Sequence, residues 1–168
     1  MTSHLSRLAD TAPEAYKAHI DIASPAHGTT VELSQAHSAL FSAQLCGDGV
    51  ALRLTGSTLV APFDATVTFI AEAGTEVCLR SQQGVQLMMS LQPDPEALHG
   101  QGVRCQVGKG QQVSQGQVLI SVDLPSVNRT LQNPLWTLTV PNSMRMQTVV
   151  PHYGQVQQGQ DKVLSLYL

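Results

Sequence analysis

The chain has 168 residues, 42% of them hydrophobic but only 12% charged, with a formal net charge of −3. That length suits one domain with a real core. The charge balance and the lack of any Lys/Arg-rich run exclude the electrostatic footprint of a nucleic-acid binder. Polarity comes from Gln, Ser and Thr instead, and no apolar run approaches the ~20 residues that span a bilayer.

Residues 1–19 are polar, with Pro13 in their middle, and read as a flexible tail with at most a short helix. The opening "MTSHLSRLAD" lacks the apolar core of a signal peptide. From residue 20 to 168 the pattern changes to that of one all-β domain. Short apolar runs alternate with Gly, Pro, Asn and Asp at intervals of roughly ten residues. Strands are expected at Val31–Leu33, Gly49–Leu54, Thr58–Val60, Ala65–Ala71, Glu76–Ser81 and Val85–Leu91. Four more follow, at Val103–Cys105, Val118–Asp123, Leu135–Val140 and Val163–Leu168. Two short helical turns are expected. One is Asp94–Leu98, with Asp94 as cap and Pro95 at the first helical position, and the other is Leu124–Thr130.

Two internal echoes point to duplication. "SPAHGTTVEL" (24–33) is echoed by "APFDATVTFI" (61–70), and "QQVSQGQVLISV" (111–122) by "GQVQQGQDKVLSL" (154–166). Gly116 and Gly159 then supply positive φ where each chain copy doubles back. The expected architecture is an antiparallel β-sandwich built from a duplicated, hairpin-rich unit.

Local chemistry is sparse. "GKGQQVSQGQ" (108–117) lacks the Lys-Ser/Thr ending of a phosphate loop and reads as a hairpin. No two of the six histidines have metal-motif spacing, so neither a metal nor any other cofactor is expected. "SMRM" (143–146) is similar to the attachment hairpin of biotin carriers. Arg145, however, stands where a nucleophilic amine is needed. Lys162 in "QDKV" has the amine of a lipoyl domain but lies near the last strand. Cys46, Cys78 and Cys105 are odd in number and widely spaced. They suit small buried hydrophobes in a reducing cytoplasm. Ser90, near the end of a strand in "GVQLMMSLQPDPEALHGQG" (84–102), has neither a nucleophile-elbow context nor a local histidine.

The motif "GDGVALRLTGSTLVAPFDATV" (47–67) resembles the central block of the glucose-type enzyme IIA family. These are phosphocarriers of the bacterial phosphoenolpyruvate-dependent sugar phosphotransferase system. Flanking segments extend the likeness: "IASPAHGTTVEL", "SALFSAQLCGDG", "SQQGVQLMMSLQPDPEALHGQGV" and "GQQVSQGQVLISVDLP". The resemblance implies a cytoplasmic antiparallel β-sandwich with two active-site histidines. One accepts phosphate from HPr and passes it to the IIB domain of a sugar permease, and the other steadies the phosphoryl group. Their positions fall on Ser90 and Thr75, so both histidines are replaced. Asp94, a few residues after the phosphorylation site, is kept.

A phosphohistidine transfers readily because its nitrogen leaves well on protonation, whereas a serine phosphate is a stable ester. The expectation is therefore a protein that acts by contact in sugar uptake or regulation. Its partners by resemblance are HPr, a permease IIB domain, or a regulated transporter or enzyme. The contact face is expected to hold Leu40, Phe41, Cys46, Met88, Leu91 and Asp94. Two alternatives stand beside this reading: a working carrier using a relocated histidine, His99 first and His152 second, and a biotinyl- or lipoyl-like carrier or β-sandwich hydrolase. With Arg7 and Lys17 the only Lys/Arg in residues 1–19, membrane contact is expected to be weak or absent.

Overall fold

The computed structural model describes residues 6–36 and 46–168. Leu40 and Phe41 lie outside the described residues, as does the first part of the segment read as a tail. Fourteen strands are present among the described residues: β1 (His19–Ala23), β2 (Gly28–Glu32), β3 (Asp48–Leu54), β4 (Thr58–Val60), β5 (Ala65–Ile70), β6 (Glu76–Ser81), β7 (Gln86–Gln92), β8 (Val103–Cys105), β9 (Gln112–Val113), β10 (Val118–Val122), β11 (Leu135–Val140), β12 (Thr148–Pro151), β13 (Gly154–Val156) and β14 (Lys162–Tyr167). One α-helix, α1 (Leu124–Thr130), follows β10. Asp123 caps it by accepting from the Ser126 N–H, and Pro125 sits in its first turn, where no intrahelical donor is lost. No described helix is long and apolar enough to cross a membrane.

An eight-stranded sheet runs β13-β2-β3-β11-β7-β6-β5-β9, and two three-stranded sheets run β1-β14-β12 and β4-β10-β8. Every ladder between named strands is antiparallel. Period-2 alternation drives the layering: Leu87, Met89 and Leu91 of β7 and Trp136, Leu138 and Val140 of β11 all turn inward and are buried. They join Ile22, Leu164 and Leu166 from one small sheet and Leu59, Ile120 and Val122 from the other in a single hydrophobic cluster. The all-β sandwich expected from the sequence is what forms.

The duplication is visible in the topology. Exchanging β1, β2, β3, β11, β12, β13 and β14 for β4, β5, β6, β7, β8, β9 and β10 maps the strand order onto itself. The two echoes make the same contacts. Gly116 N–H donates to the Ala61 carbonyl at 2.8 Å, and Gly159 N–H donates to the Ser24 carbonyl at 2.9 Å. Both glycines have positive φ (86° and 74°), the conformation a side chain would resist.

Four strand expectations hold to the residue: β4, β6, β8 and β11. Others are corrected. β2 starts three residues before Val31, and Leu33 opens a 3-10 turn instead of ending the strand. β1, β9, β12 and β13 were not anticipated. The turn after β7 forms at Pro95–Leu98, but Asp94 does not cap it with its side chain. Its backbone is left-handed (φ 47°) and not in the extended conformation of a capping residue.

Ser6 to Ala9 lie against the sandwich. The wholly buried Asp48 carboxylate accepts from Ser6 Oγ and from the Arg7 N–H, both at 2.8 Å. Leu8 bridges Val149, and the Ala9 N–H donates to the Val149 carbonyl. The central Asp of the Gly-Asp-Gly motif thus holds the chain's first described residues to the sheet.

Candidate functional site

Ser90 sits on β7 between two neighbours. Glu76 of β6 is its cross-strand partner on one side and Thr137 of β11 on the other. Alternation sends its side chain to the outer face, opposite Met89 and Leu91, yet it is only 4% exposed. Its hydroxyl accepts from Gln92 Nε2 at 3.3 Å, and its carbonyl accepts from Thr137 Oγ1 at 3.2 Å. Thr75 stands at the entry to β6, where its carbonyl accepts the Leu91 N–H at 2.9 Å. The β6–β7 register therefore places position 75, just before β6, next to the Glu76–Ser90 pair.

Two rows cross this outer face. One runs Glu76, Ser90, Thr137, Ala51, and the next runs Phe69, Cys78, Met88, Thr139. Cys46 and Met88 pack against a small cluster of Leu33 and Ala36. The face thus mixes apolar side chains with Ser and Thr hydroxyls and holds one acid. Burial raises the Glu76 carboxyl above its ordinary value. Burial and then the Glu76 charge push the Cys78 thiol up to about 11 and raise that of Cys46. Both thiols therefore stay protonated near neutrality and are poor nucleophiles.

The other expected site residues are dispersed. Leu91 belongs to the interior, 0% exposed, and cannot serve in a contact face. Phe69 takes its place: it is 45% exposed, beside Cys78, after a register shift in β5. Strict alternation turns position 69 inward, and only the bulge re-aims it, so sequence reading missed it. Asp94 is exposed in the turn after β7. His99 is exposed at the end of that turn, with a left-handed backbone. Lys162 opens β14, with Nζ 4.0 Å from Asp21 Oδ1, and Arg145 ends a 3-10 turn.

A polar chain that no local motif announced joins β1, β14 and His152, the residue just after β12. Ser165 Oγ donates to Asp21 Oδ1 at 2.6 Å, His19 Nε2 meets the same oxygen at 2.7 Å, and His152 Nε2 lies 2.8 Å from Ser165 Oγ. It is not a hydrolase triad. The single hydroxyl proton goes to Asp21, so Ser165 must accept from His152, which cannot then act as its base. Ser165 is also 1% exposed. Burial raises the Asp21 carboxyl, but Ser165, His19 and Lys162 together outweigh it and leave the carboxyl below its usual value. Burial, then Lys162, lowers His152 against the pull of Asp21.

This gives a pH prediction. The unfolded chain protonates this histidine near 6.5, whereas the folded chain keeps it neutral to lower pH. The contribution is complete above that value and is lost as pH falls below it. The thermal midpoint should drop between pH ~7.5 and ~5.5, and His152→Gln should flatten that slope. An equally steep slope in the variant would refute the assignment.

Among the described residues no three His, Cys, Asp or Glu side chains are grouped to hold a metal ion.

The duplicated antiparallel sandwich, with Thr75 at the entry to β6 beside the Glu76–Ser90 pair, defines a class of protein by its fold. It superposes on the glucose permease IIA of Mycoplasma capricolum with a TM-score of 0.77, covering 89% of this chain and 96% of that one at 22% identity. Residues 20–146 match the model of the family described as "phosphoenolpyruvate-dependent sugar phosphotransferase system, EIIA 1", and the chain belongs to that family. It is 37% identical over 132 residues to the PTS system glucose-specific EIIBCA component of Corynebacterium glutamicum, with 78% of this chain but 19% of that protein covered. It is 29% identical over 147 residues to the PTS system glucose-specific EIIA component of Haemophilus influenzae, covering 88% of this chain and 89% of that one. The chain spans about a fifth of the EIIBCA and glucoside-specific EIICBA relatives it matches.

Proposed function

We propose that this chain is an EIIA-family protein that does not relay phosphate and acts by contact in sugar uptake or its control. The observation that carries this reading is Ser90, in the place the resemblance gives to the phosphoryl-accepting histidine, with Glu76 as its direct cross-strand partner. A hydroxyl there is nearly buried and already engaged by Gln92. Any phosphate placed on it is a stable ester. The neighbouring carboxylate also opposes an incoming phosphoryl anion. Two like unit charges ~5 Å apart, the cross-strand spacing, repel by about 3 kcal/mol at an effective dielectric of ~20.

The contact face in this reading is the apolar row Phe69, Cys78 and Met88, together with Cys46. Its partners are drawn from the same system: HPr, a permease IIB domain, or a transporter or enzyme under its control. The setting is the cytoplasm. Apolar side chains around a single acid suit a surface that recognises partners.

The test is intact-mass analysis after incubation with phosphoenolpyruvate, enzyme I and HPr. No added phosphate is the expected result. An acid-labile phosphate that survives Ser90→Ala and disappears in His99→Ala would overturn the reading in favour of a relocated carrier histidine.

A further inference from the structure

We infer that the cavity between α1, the ends of β3 and β10 and the start of β11 is a binding site for a small organic carboxylate with an apolar body. Its floor is made of Leu54, Val122, Val127, Leu131 and Trp136, each no more than 6% exposed. Arg53, Asn128 and Asn133 stand exposed at its mouth. None of Glu76, Met88, Ser90 and Thr137 lines it, so it is separate from the face described above.

Backbone bonds hold each wall. Trp136 is paired on both sides, with Leu52 of β3 and Leu91 of β7. Val122 is paired with Val103 of β8, and its N–H donates to the Ser57 carbonyl at 2.8 Å. Val127 and Leu131 are four residues apart on one helical face, and the Leu131 N–H donates to the Val127 carbonyl at 2.8 Å. The chain then reverses at Asn133, in the left-handed region (φ 50°) that asparagine tolerates. The cavity is thus preformed, the arrangement in which a small ligand binds at low ordering cost.

Volume and lining select the body of the ligand. The cavity measures about 230 Å³. An apolar cavity of ~150 Å³ is enough for benzene, so this one admits a six-membered ring or a branched chain with a short arm. Leu54, Val122, Val127 and Leu131 offer no hydrogen bond to a polar body. A sugar would lose its water there without replacement.

Arg53 selects the charged end. Alternation in β3 turns Leu52 and Leu54 inward and leaves Arg53 outward. Among the described residues the ion pairs all involve Asp21, and none reaches Arg53. No Asp, no Glu and no chain terminus lines the cavity. Asp123, next to Val122 in the chain, accepts from the Ser126 N–H at 3.3 Å, and Asp94 lines a neighbouring concavity beyond Leu131 and Asn133. A guanidinium carries donors only, and the Asn128 and Asn133 amides add more, so the mouth calls for an acceptor. A carboxylate presents two coplanar oxygens that the guanidinium fork matches, whereas an ammonium group would meet Arg53 as a like charge.

The test is amide chemical-shift titration of the full chain at neutral pH with benzoate, benzyl alcohol and acetate. Benzoate shifts should saturate and concentrate at residues 53–54 and 122–136. Benzyl alcohol, with the ring but no charge, should bind there about threefold to tenfold more weakly, because a partly solvated charge-assisted bond is missing. Acetate, with the charge but no body, should give no saturating shifts. Added salt should weaken benzoate and leave benzyl alcohol unchanged. Arg53→Gln should bring benzoate down to the level of benzyl alcohol, and Asn128→Trp should plug the mouth and abolish both. Both positions are exposed, and the thermal midpoint of each variant checks that it is folded. The comparison of the three probes is made on the unaltered chain and decides the matter even where a variant fails to fold. Shifts elsewhere or none, equal affinity for benzoate and benzyl alcohol, saturating acetate shifts at these same residues, or parental benzoate affinity in Arg53→Gln would each overturn the proposal.

Discussion

Gly49→Ala is expected to destabilise the protein by about 3 kcal/mol or more, at the upper end of what overpacking does and a large share of the ~5–15 kcal/mol that holds a domain together. Gly49 lies in β3 opposite Thr139 of β11. A Cβ there would run into the Leu138 carbonyl oxygen, with the Leu138 carbonyl carbon and Thr139 Cα only 2.8 Å away. All three are backbone atoms of a strand paired on both sides, so no side chain can swing clear. Relief requires β3 to part from β11, and that opens the ladder between Asp48 and Val50, both 0% exposed. The check is the urea midpoint of Gly49→Ala against Gly108→Ala, whose added Cβ meets nothing within 4 Å. The control should unfold with the parent and Gly49→Ala far earlier, with a similar denaturant slope. Coincident midpoints would show that the sheet can open at this point without loss.

That prediction depends on register, and register separates what the sequence disclosed from what it withheld. Alternation in β7 and β11 was legible because each keeps its apolar residues on one face, Leu87, Met89 and Leu91 in one strand and Trp136, Leu138 and Val140 in the other, with Ser90, Thr137 and Thr139 on the opposite face. The echoed Pro and Gly turns were legible because positive φ restricts residue choice. The missed strands lacked both signals. β1 carries His19 and Asp21 on its polar side, β12 ends in Pro151, and β9 and β13 have two and three residues.

The site was half legible. Position 90 could be read from its flanking residues, but its environment could not. Glu76 is 14 residues away and meets Ser90 only once the β6–β7 hairpin fixes its pairing. The Asp21–Ser165 bond joins residues 144 apart, and the cavity beside Trp136 needs β3, β10, α1 and β11 to converge. No spacing rule reaches across such separations. Phe69 and Leu91 exchanged roles for a local reason. A bulge in β5 turned Phe69 outward, while regular alternation kept Leu91 inside.

The pairing of Glu76 with Ser90 makes the second large prediction. Ser90→His alone should take up phosphate from HPr slowly, and Glu76→Gln/Ser90→His faster by roughly tenfold to a hundredfold, as expected for removing about 3 kcal/mol of repulsion in part or in full. Two effects of the carboxylate act in the same direction. It favours the imidazolium form of a neighbouring histidine, raising that histidine's pKa and depleting the neutral ring that must attack phosphorus. It also repels the phosphoryl group in the transition state. Adding Thr75→His should then extend the lifetime of the phosphorylated form, because position 75 lies at the entry to β6, next to the Glu76–Ser90 pair, and a second imidazole near it can donate to a phosphoryl oxygen. The readout is the phosphorylated fraction by intact mass over time, with acid lability marking phosphohistidine. Equal rates in Ser90→His and Glu76→Gln/Ser90→His would remove Glu76 from the proposal that this face does not relay phosphate. If neither variant were labelled, although both remain folded, the block would lie in docking to HPr, and the apolar row of Phe69, Cys78 and Met88 would then be shaped for a different partner.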